Sequence, residues 1–302
     1  MELHLAPLEN VSCWVFRPLC AGASDSYTGM LSLSNLVKRN NAWKEIDTYA
    51  LPGQRQWIQI ATSKEADCTA FLAKLEEHLN EFPEKDHVYG IQLNASCPSP
   101  ALISIGQGPA LIKRATKMAT LVNALLKGRF KVSVKVRLGL NEFEAKQRKL
   151  VYLFSAFEKI THPNFSGVTV HFKHADQKSA DAYDYTLIKD LCKFKVPMIV
   201  NGGIKSYVDF IRIIEGVDTS SIKGFMVGRA VMENPDAIAM IRKEMDGTTF
   251  TPRSPAAIKE EFEMYCTMHE PAPKYVEKIR KYCPWARGNE PAGEYTAQGY
   301  YG

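Results

Sequence analysis

Short apolar runs, helical stretches between them, and distinctive polar residues where the runs end predict an α/β fold: a (β/α)8 TIM barrel with a small C-terminal helical domain. Eight runs read as strands: Leu3–Pro7, Tyr27–Met30, Trp57–Ile60, Gly90–Asn94, Val132–Val136, Gly167–His171, Met198–Asn201 and Gly224–Gly228. Helical periodicity joins several of them. Thr69–Leu79 carries Phe71, Leu72, Leu75 and Leu79 on one face. Leu111–Leu126 does so with Met118, Leu121, Val122 and Leu125, and Val208–Ile214 with Phe210, Ile211 and Ile214. A doubly wound open sheet is the alternative, but no Gly-x-Gly-x-x-Gly follows the first strand. After Pro235 no strand is evident. A polar link, Gly247–Pro255, leads to helices over Ala256–His269 and Lys274–Tyr282 and to a Gly/Pro/Tyr tail, Glu290–Gly302. The chain thus divides into a barrel over 1–243 and a helical appendage with tail over 244–302.

Size and composition bound the rest. The 302 residues are 45% hydrophobic, enough for one large core. No run of 18 apolar residues suggests a membrane span. Glu2 and His4 stand where a signal peptide would have a basic flank. The seven cysteines form no Cys-x-x-Cys pair, which argues against zinc ribbons and a disulfide framework, so a reduced, cytoplasmic protein and no metal are expected. A net charge of +5 is too small to indicate nucleic acid by itself. Leu111–Leu150, however, holds eleven Lys or Arg against only Glu142 and Glu144, which reads either as a solvated helix face or as a patch for phosphates.

The chemistry gathers at strand ends. In Lys131–Gly139, a period of two puts Ser133, Lys135 and Arg137 on one face and three valines on the other. Valines facing the outer helices would leave Lys135 and Arg137 pointing into the barrel mouth. A buried cation needs a partner, so a ligand with negative charge or carbonyl oxygens is expected, with a structural ion pair as the other reading. His171 ends the sixth strand, and Gln59 sits among apolar neighbours in the third, where its amide needs hydrogen-bond partners. Asn201-Gly202-Gly203-Ile204 and Val227-Gly228-Arg229 close the seventh and eighth strands, where barrels commonly hold phosphate. Gln59, Lys135 and His171 around a ring, with that phosphate grip, suggest FMN. Cys97, in the Pro-punctuated turn after the fourth strand, would face it.

At this point the chain resembles the tRNA-dihydrouridine synthase family over nearly its whole length. Leu5–Val11 with Phe16-Arg17 is similar to the family's first strand and flavin-contacting turn, and Tyr27–Met30 to its second strand. Asn94-Ala95-Ser96-Cys97-Pro98 is similar to its Asn-x-x-Cys-Pro loop, and Gly106–Ile112 to the Gly-rich segment that follows. Lys135-Val136-Arg137 resembles its Lys-x-Arg strand, and the two glycine turns resemble its phosphate turns. Arg280-Lys281-Tyr282, Trp285 and Gly288 resemble a reduced form of the basic, aromatic end of its helical domain.

The resemblance implies FMN-dependent reduction of the C5–C6 double bond of specific tRNA uridines, with NADPH (or NADH) as reductant. Cys97 would be the general acid at C5. Lys135 would stabilise charge on the reduced ring, Gln59 and His171 would fix the flavin, and Pro7, Leu8 and Glu9 would line its edge. Asn201, Gly202, Gly203, Gly228 and Arg229 would hold its phosphate. Asn94 and Arg137 would hold the uracil, and the appendage would bind tRNA. No obligate protein partner is implied, and a monomer is compatible. Departures mark a divergent branch: Gly29 and Gly203 stand where acids are usual, and Phe172-Lys173-His174 follows His171 where a Gly-Arg pair is usual. That leaves Lys173 or His174 to replace the substrate-side arginine. Two alternatives remain: a dihydroorotate dehydrogenase-like flavoprotein, which shares the Asn-x-Ser-Cys-Pro loop and the Gly-Gly-Ile turn, and a non-catalytic RNA- or flavin-binding barrel.

Overall fold

Parallel pairing closes eight strands into a ring. They are β1 (Glu2–Leu5) and β2 (Asp25–Tyr27), then, past the short β3 (Leu31–Ser32), β4 (Arg55–Ala61), β5 (Val88–Ala95), β6 (Lys131–Arg137), β7 (Phe165–His171), β8 (Met198–Asn201) and β9 (Ile222–Val227). β1 pairs with both β2 and β9, and β2 pairs with β4, so the sheet has no open edge. β3 adds two residues beside the end of β4. This computed structural model describes residues 1–38, 43, 46 and 51–287.

The TIM barrel expected from the sequence is therefore present. Alternation explains its core. Val132, Val134 and Val136 are buried against the outer helices, while Ser133, Lys135 and Arg137 face inward. Helices Glu65–Glu81 and Ala115–Leu125 bury the apolar faces predicted for them. Leu111 and Ile112 belong instead to a preceding 3-10 turn, Gly108–Lys113.

One strand is displaced. The second was expected over Tyr27–Met30 but begins at Asp25 and leaves the sheet after Tyr27. Its first residue is a fully buried carboxylate, accepting hydrogen bonds from Arg55 and from Trp57 Nε1. An apolar run cannot announce a strand that starts on a buried charge.

The basic run in Leu111–Leu150 does not form one cationic face. Arg129 pairs with Glu76 and Asp86 near the start of β6, Lys113 with Glu144, Lys146 with Glu142, and Arg148 with Asp190. Lys135 and Arg137 lie inside the barrel mouth.

Helices Pro255–His269 and Pro273–Tyr282 appear where expected. They share the barrel's hydrophobic core. Phe262 packs edge-on to Trp285, Trp285 stacks near Phe16, and its Nε1 donates to the Met232 carbonyl at 3.0 Å. Arg253 ties the link to the barrel through Asp236 and the Leu19 carbonyl, and to the helix Pro255–His269 through Glu261. The helix Ala237–Asp246 runs across residues 243 and 244 and ends at Gly247, at φ 67°. Gly288 and the tail Glu290–Gly302 lie outside the described residues. No helix among the described residues is long and apolar enough to cross a membrane.

Because Phe262 is fully buried in that shared core, Phe262→Ala should lower unfolding free energy by about 3–5 kcal/mol. The exposed Met268 serves as control, with Met268→Ala expected within about 0.5 kcal/mol. Urea titration checks both. A loss at Phe262 no larger than the control's would detach the C-terminal helices from the core.

Candidate active site in the barrel mouth

The C-terminal ends of the strands surround a cavity of about 370 Å3. Cys97, Asn94, Arg137 and every residue assigned above to the flavin line it, as does Lys173, while His174 does not. Strand register brings them together. Lys135 lies beside Asn94 and Thr169, and Arg137, His171 and Asn201 form a row across β6, β7 and β8.

Amides build the floor. Gln59 Nε2 donates to Gln92 Oε1 at 2.8 Å, and Asn94 Nδ2 donates to Gln59 Oε1 at 2.8 Å. Gln92 Nε2 continues to Ser133 Oγ at 3.2 Å. The partners that the Gln59 amide needed are thus protein side chains. Asn94 is committed to the loop above: its Oδ1 accepts from the main-chain N–H of Ser96 at 2.9 Å and of Cys97 at 2.8 Å. This turns the chain sharply at the end of β5 and leaves the Cys97 thiol half-buried on the cavity wall. Burial pushes that thiol's pKa up, and Glu9 adds to the effect.

Lys135 is buried, at 9% exposure, and its Nζ donates to Ser96 Oγ at 3.3 Å. No carboxylate pairs with it among the described residues, so the structural ion pair weighed above is not what holds it. Burial, then the nearby Arg137, lower its pKa to about 7. Arg137 Nε donates to the Ser96 carbonyl at 2.7 Å, and Nη1 to the His174 carbonyl at 3.2 Å. Ser96 therefore receives both cations, a role that sequence reasoning missed; only its place between Asn94 and Cys97 could have signalled it.

His171 Nδ1 lies 2.9 Å from Asn201 Oδ1, and Asn201 Nδ2 donates to the Met226 carbonyl at 2.9 Å. That second bond fixes the amide, so Nδ1 is the donor and Nε2 keeps its lone pair. Burial, then Arg137 and Lys135, push the imidazole well below its ordinary pKa, so it is neutral at pH 7. Gly202 and Gly203 turn at φ 115° and 69°. A Cβ on Gly202 would lie 2.5 Å from the Tyr183 ring. Of the two candidates for the substrate-side cation, Lys173 lines the cavity, donating to the carbonyls of Lys178 and Ser179 at 2.8 and 2.9 Å. His174 faces a neighbouring hollow.

A Helicobacter pylori (strain ATCC 700392 / 26695) protein described as a probable tRNA-dihydrouridine synthase is 27% identical over 265 residues, 86% of this chain and 74% of its own. A Bacillus subtilis (strain 168) probable tRNA-dihydrouridine synthase 2 is 26% identical over 207 residues, 66% of this chain and 57% of its own. Among solved structures, a morphinone reductase in complex with tetrahydroNAD shares the fold at TM-score 0.55 and 11% identity, covering 85% of this chain and 90% of that one. The family model described as dihydrouridine synthase (Dus) matches residues 4–295. The chain belongs to the dihydrouridine synthase family.

Proposed function

We propose that the chain is a tRNA-dihydrouridine synthase, which reduces the C5–C6 double bond of uridines in tRNA using FMN and NAD(P)H, with NADPH favoured. One observation carries this reading: a protonated thiol, Cys97, shares a cavity with the buried Lys135, which has no carboxylate partner among the described residues. The family match over residues 4–295 favours it above the dihydroorotate dehydrogenase alternative.

The residues present fit a phosphorylated flavin. Gly202 and Gly203 adopt left-handed backbone that a side chain would strain, and the main-chain N–H groups of Gly203 and Ile204 donate to nothing among the described residues. Gly228 and Arg229 face the same corner. Toward the ring end stand Lys135, Gln59 and the neutral His171, whose Nε2 can accept a hydrogen bond. Pro7, Leu8 and Glu9 form the adjoining edge.

Reduced flavin, when bound there, supplies hydride to C6 of the uracil. The chain's own residues do the rest. Cys97 Sγ gives its proton to C5, and its raised pKa keeps that proton in place at neutral pH. Lys135 places positive charge where negative charge must be held. Asn94 and Arg137, bordering Cys97, orient the uracil. The uridine has to leave its stack to reach this depth, which costs a few kcal/mol and is offset by contacts to the tRNA backbone.

Cys97→Ala should keep flavin and tRNA binding while dihydrouridine formation falls by about 10²–10⁴-fold. Mass spectrometry of tRNA nucleosides, counting uridines that gain two hydrogens, reads this out. Full activity would remove Cys97 from the chemistry. Nucleosides from a strain lacking the gene test the function itself: an unchanged dihydrouridine content would end it.

Lys135 makes a stability prediction. Its folded pKa of about 7 lies below the ordinary 10.5. Between these values the unfolded chain binds the extra proton, so this group makes stability rise with pH. Ligand-free protein should gain roughly 1 kcal/mol per pH unit relative to Lys135→Met from about pH 7 to 9.5. Parallel stability profiles for the two proteins would place the ammonium in water.

A further inference from the structure

The segment between β7 and the helix Ile188–Leu191 folds over one corner of the cavity. It is held by its own bonds: Lys173 reaches two carbonyls of the segment, Gln177 Nε2 donates to the Ala182 carbonyl at 2.9 Å, and Lys178 N donates to Asp181 at 2.7 Å. Its inner edge presents two hydroxyls to Arg229. Nη2 donates to the Tyr183 hydroxyl at 2.8 Å, and Nη1 donates to Ser179 Oγ.

Two features of this corner point to an anion. First, the half-buried Arg229 guanidinium meets only neutral oxygens, and no carboxylate pairs with it among the described residues. Secondly, each hydroxyl accepts from Arg229, so its own proton remains to be given elsewhere. Neither hydroxyl donates to any acceptor among the described residues. The Tyr183 ring lies directly over the glycine turn: a Cβ on Gly202 would meet its Cε1 at 2.5 Å, and one on Gly203 its Cδ2 at 3.1 Å. The ring thus covers the turn whose Gly203 and Ile204 N–H groups donate to nothing among the described residues. It also stands edge-on to His171, with ring centroids 5.7 Å apart.

We propose that Ser179 and Tyr183 are ligands of the cofactor's phosphate, adding two hydroxyl donors from the loop after β7 to the glycine turn and Arg229, and that they set the preference for a phosphorylated flavin. The proposal rests on the flavin reading above and deepens it. Arg229 orients the hydroxyls by donating to their oxygens, and the phosphate oxygens take the protons those hydroxyls have free. Tyr183 thereby ties the loop that carries Lys173 to the presence of the phosphate.

The test uses apoprotein titrated separately with FMN and riboflavin, following quenching of flavin fluorescence. Riboflavin has the same ring without the phosphate. Tyr183→Phe keeps the ring over the glycine turn and removes only the hydroxyl, and Ser179→Ala removes the other. Each should weaken FMN binding roughly tenfold and leave riboflavin binding within about twofold, so the FMN-to-riboflavin preference collapses in the double variant. Unchanged FMN affinity would overturn the proposal. An equal loss for both flavins would also overturn it, because the hydroxyls would then only scaffold the loop. If the unaltered protein binds neither flavin, the cofactor reading itself fails, an outcome distinct from the other two.

Discussion

A lysine ammonium sealed into the barrel mouth with a serine hydroxyl as its partner is the constraint behind the rest of the site. Burying a cation costs several kcal/mol unless something offsets it. Lys173 and Arg229 repeat the pattern, bonding to main-chain carbonyls and hydroxyls without pairing to a carboxylate among the described residues. A protein selected for stability alone would supply acids or replace the cations with apolar groups. Keeping them fits a cavity whose occupant brings the negative charge. Burial in that mouth holds its titratable groups toward their neutral forms. Lys135 is brought down to about 7 and His171 is kept neutral, while the Cys97 thiol keeps its proton.

The amide layer beneath gives those charges fixed addresses. Gln92 to Gln59 to Asn94 is a continuous chain of hydrogen bonds across β5 and β4, and it ends on the N–H groups that shape the Cys97 turn. Polar side chains in a barrel interior are tolerated only when their donors and acceptors are matched. Here the match does two things at once: it removes the cost of burying amides, and it sets the position of Ser96, which receives Lys135 and Arg137. Loss of any amide in the chain would be felt three residues past its end, at the thiol.

How much of this was legible beforehand depended on whether the signal was local. Alternation in Lys131–Arg137 was sufficient to aim Lys135 and Arg137 inward, because a strand's period is fixed by its backbone. Glycine turns at consecutive strand ends were equally local. Gln92 was not noticed, since one amide inside an apolar run carries no label for its partners; its meaning comes from Gln59 and Ser133, 33 and 41 residues away. Ser179 and Tyr183 were missed for the same reason. They matter through Arg229, 50 and 46 residues further on. The Lys and Arg of Leu111–Leu150 misled in the opposite sense: neighbours in sequence, they are dispersed by the fold to both ends of the barrel and into separate ion pairs.

The far end of the barrel shows the complementary use of charge. Glu2, His4 and Asp25 offer ligand atoms within 4.8 Å of one another, spacing that would suit a metal ion. Arg55 already supplies the cation. Its Nε donates to Asp25 at 2.9 Å, and its Nη2 to Asp25 at 2.7 Å and to Glu2 at 2.6 Å, while Trp57 Nε1 donates to Asp25 at 2.7 Å. The bonds from His4 and Arg55 hold the Glu2 carboxyl down to about 2, so it stays ionised in this network. The location gives the reason. β1 and β2 meet through a single register pair, His4 with Asp25, the sparsest ladder in the ring. Side chains compensate where the backbone cannot: the Arg55 network and the His4, Tyr27 and Trp57 rings bind β1, β2 and β4 together at that seam. At this rim the cation meets carboxylates and closes the barrel. At the other, Lys135, Lys173 and Arg229 have no carboxylate partner among the described residues, which suits a ligand that brings negative charge and separates stability from chemistry along the strands that carry both.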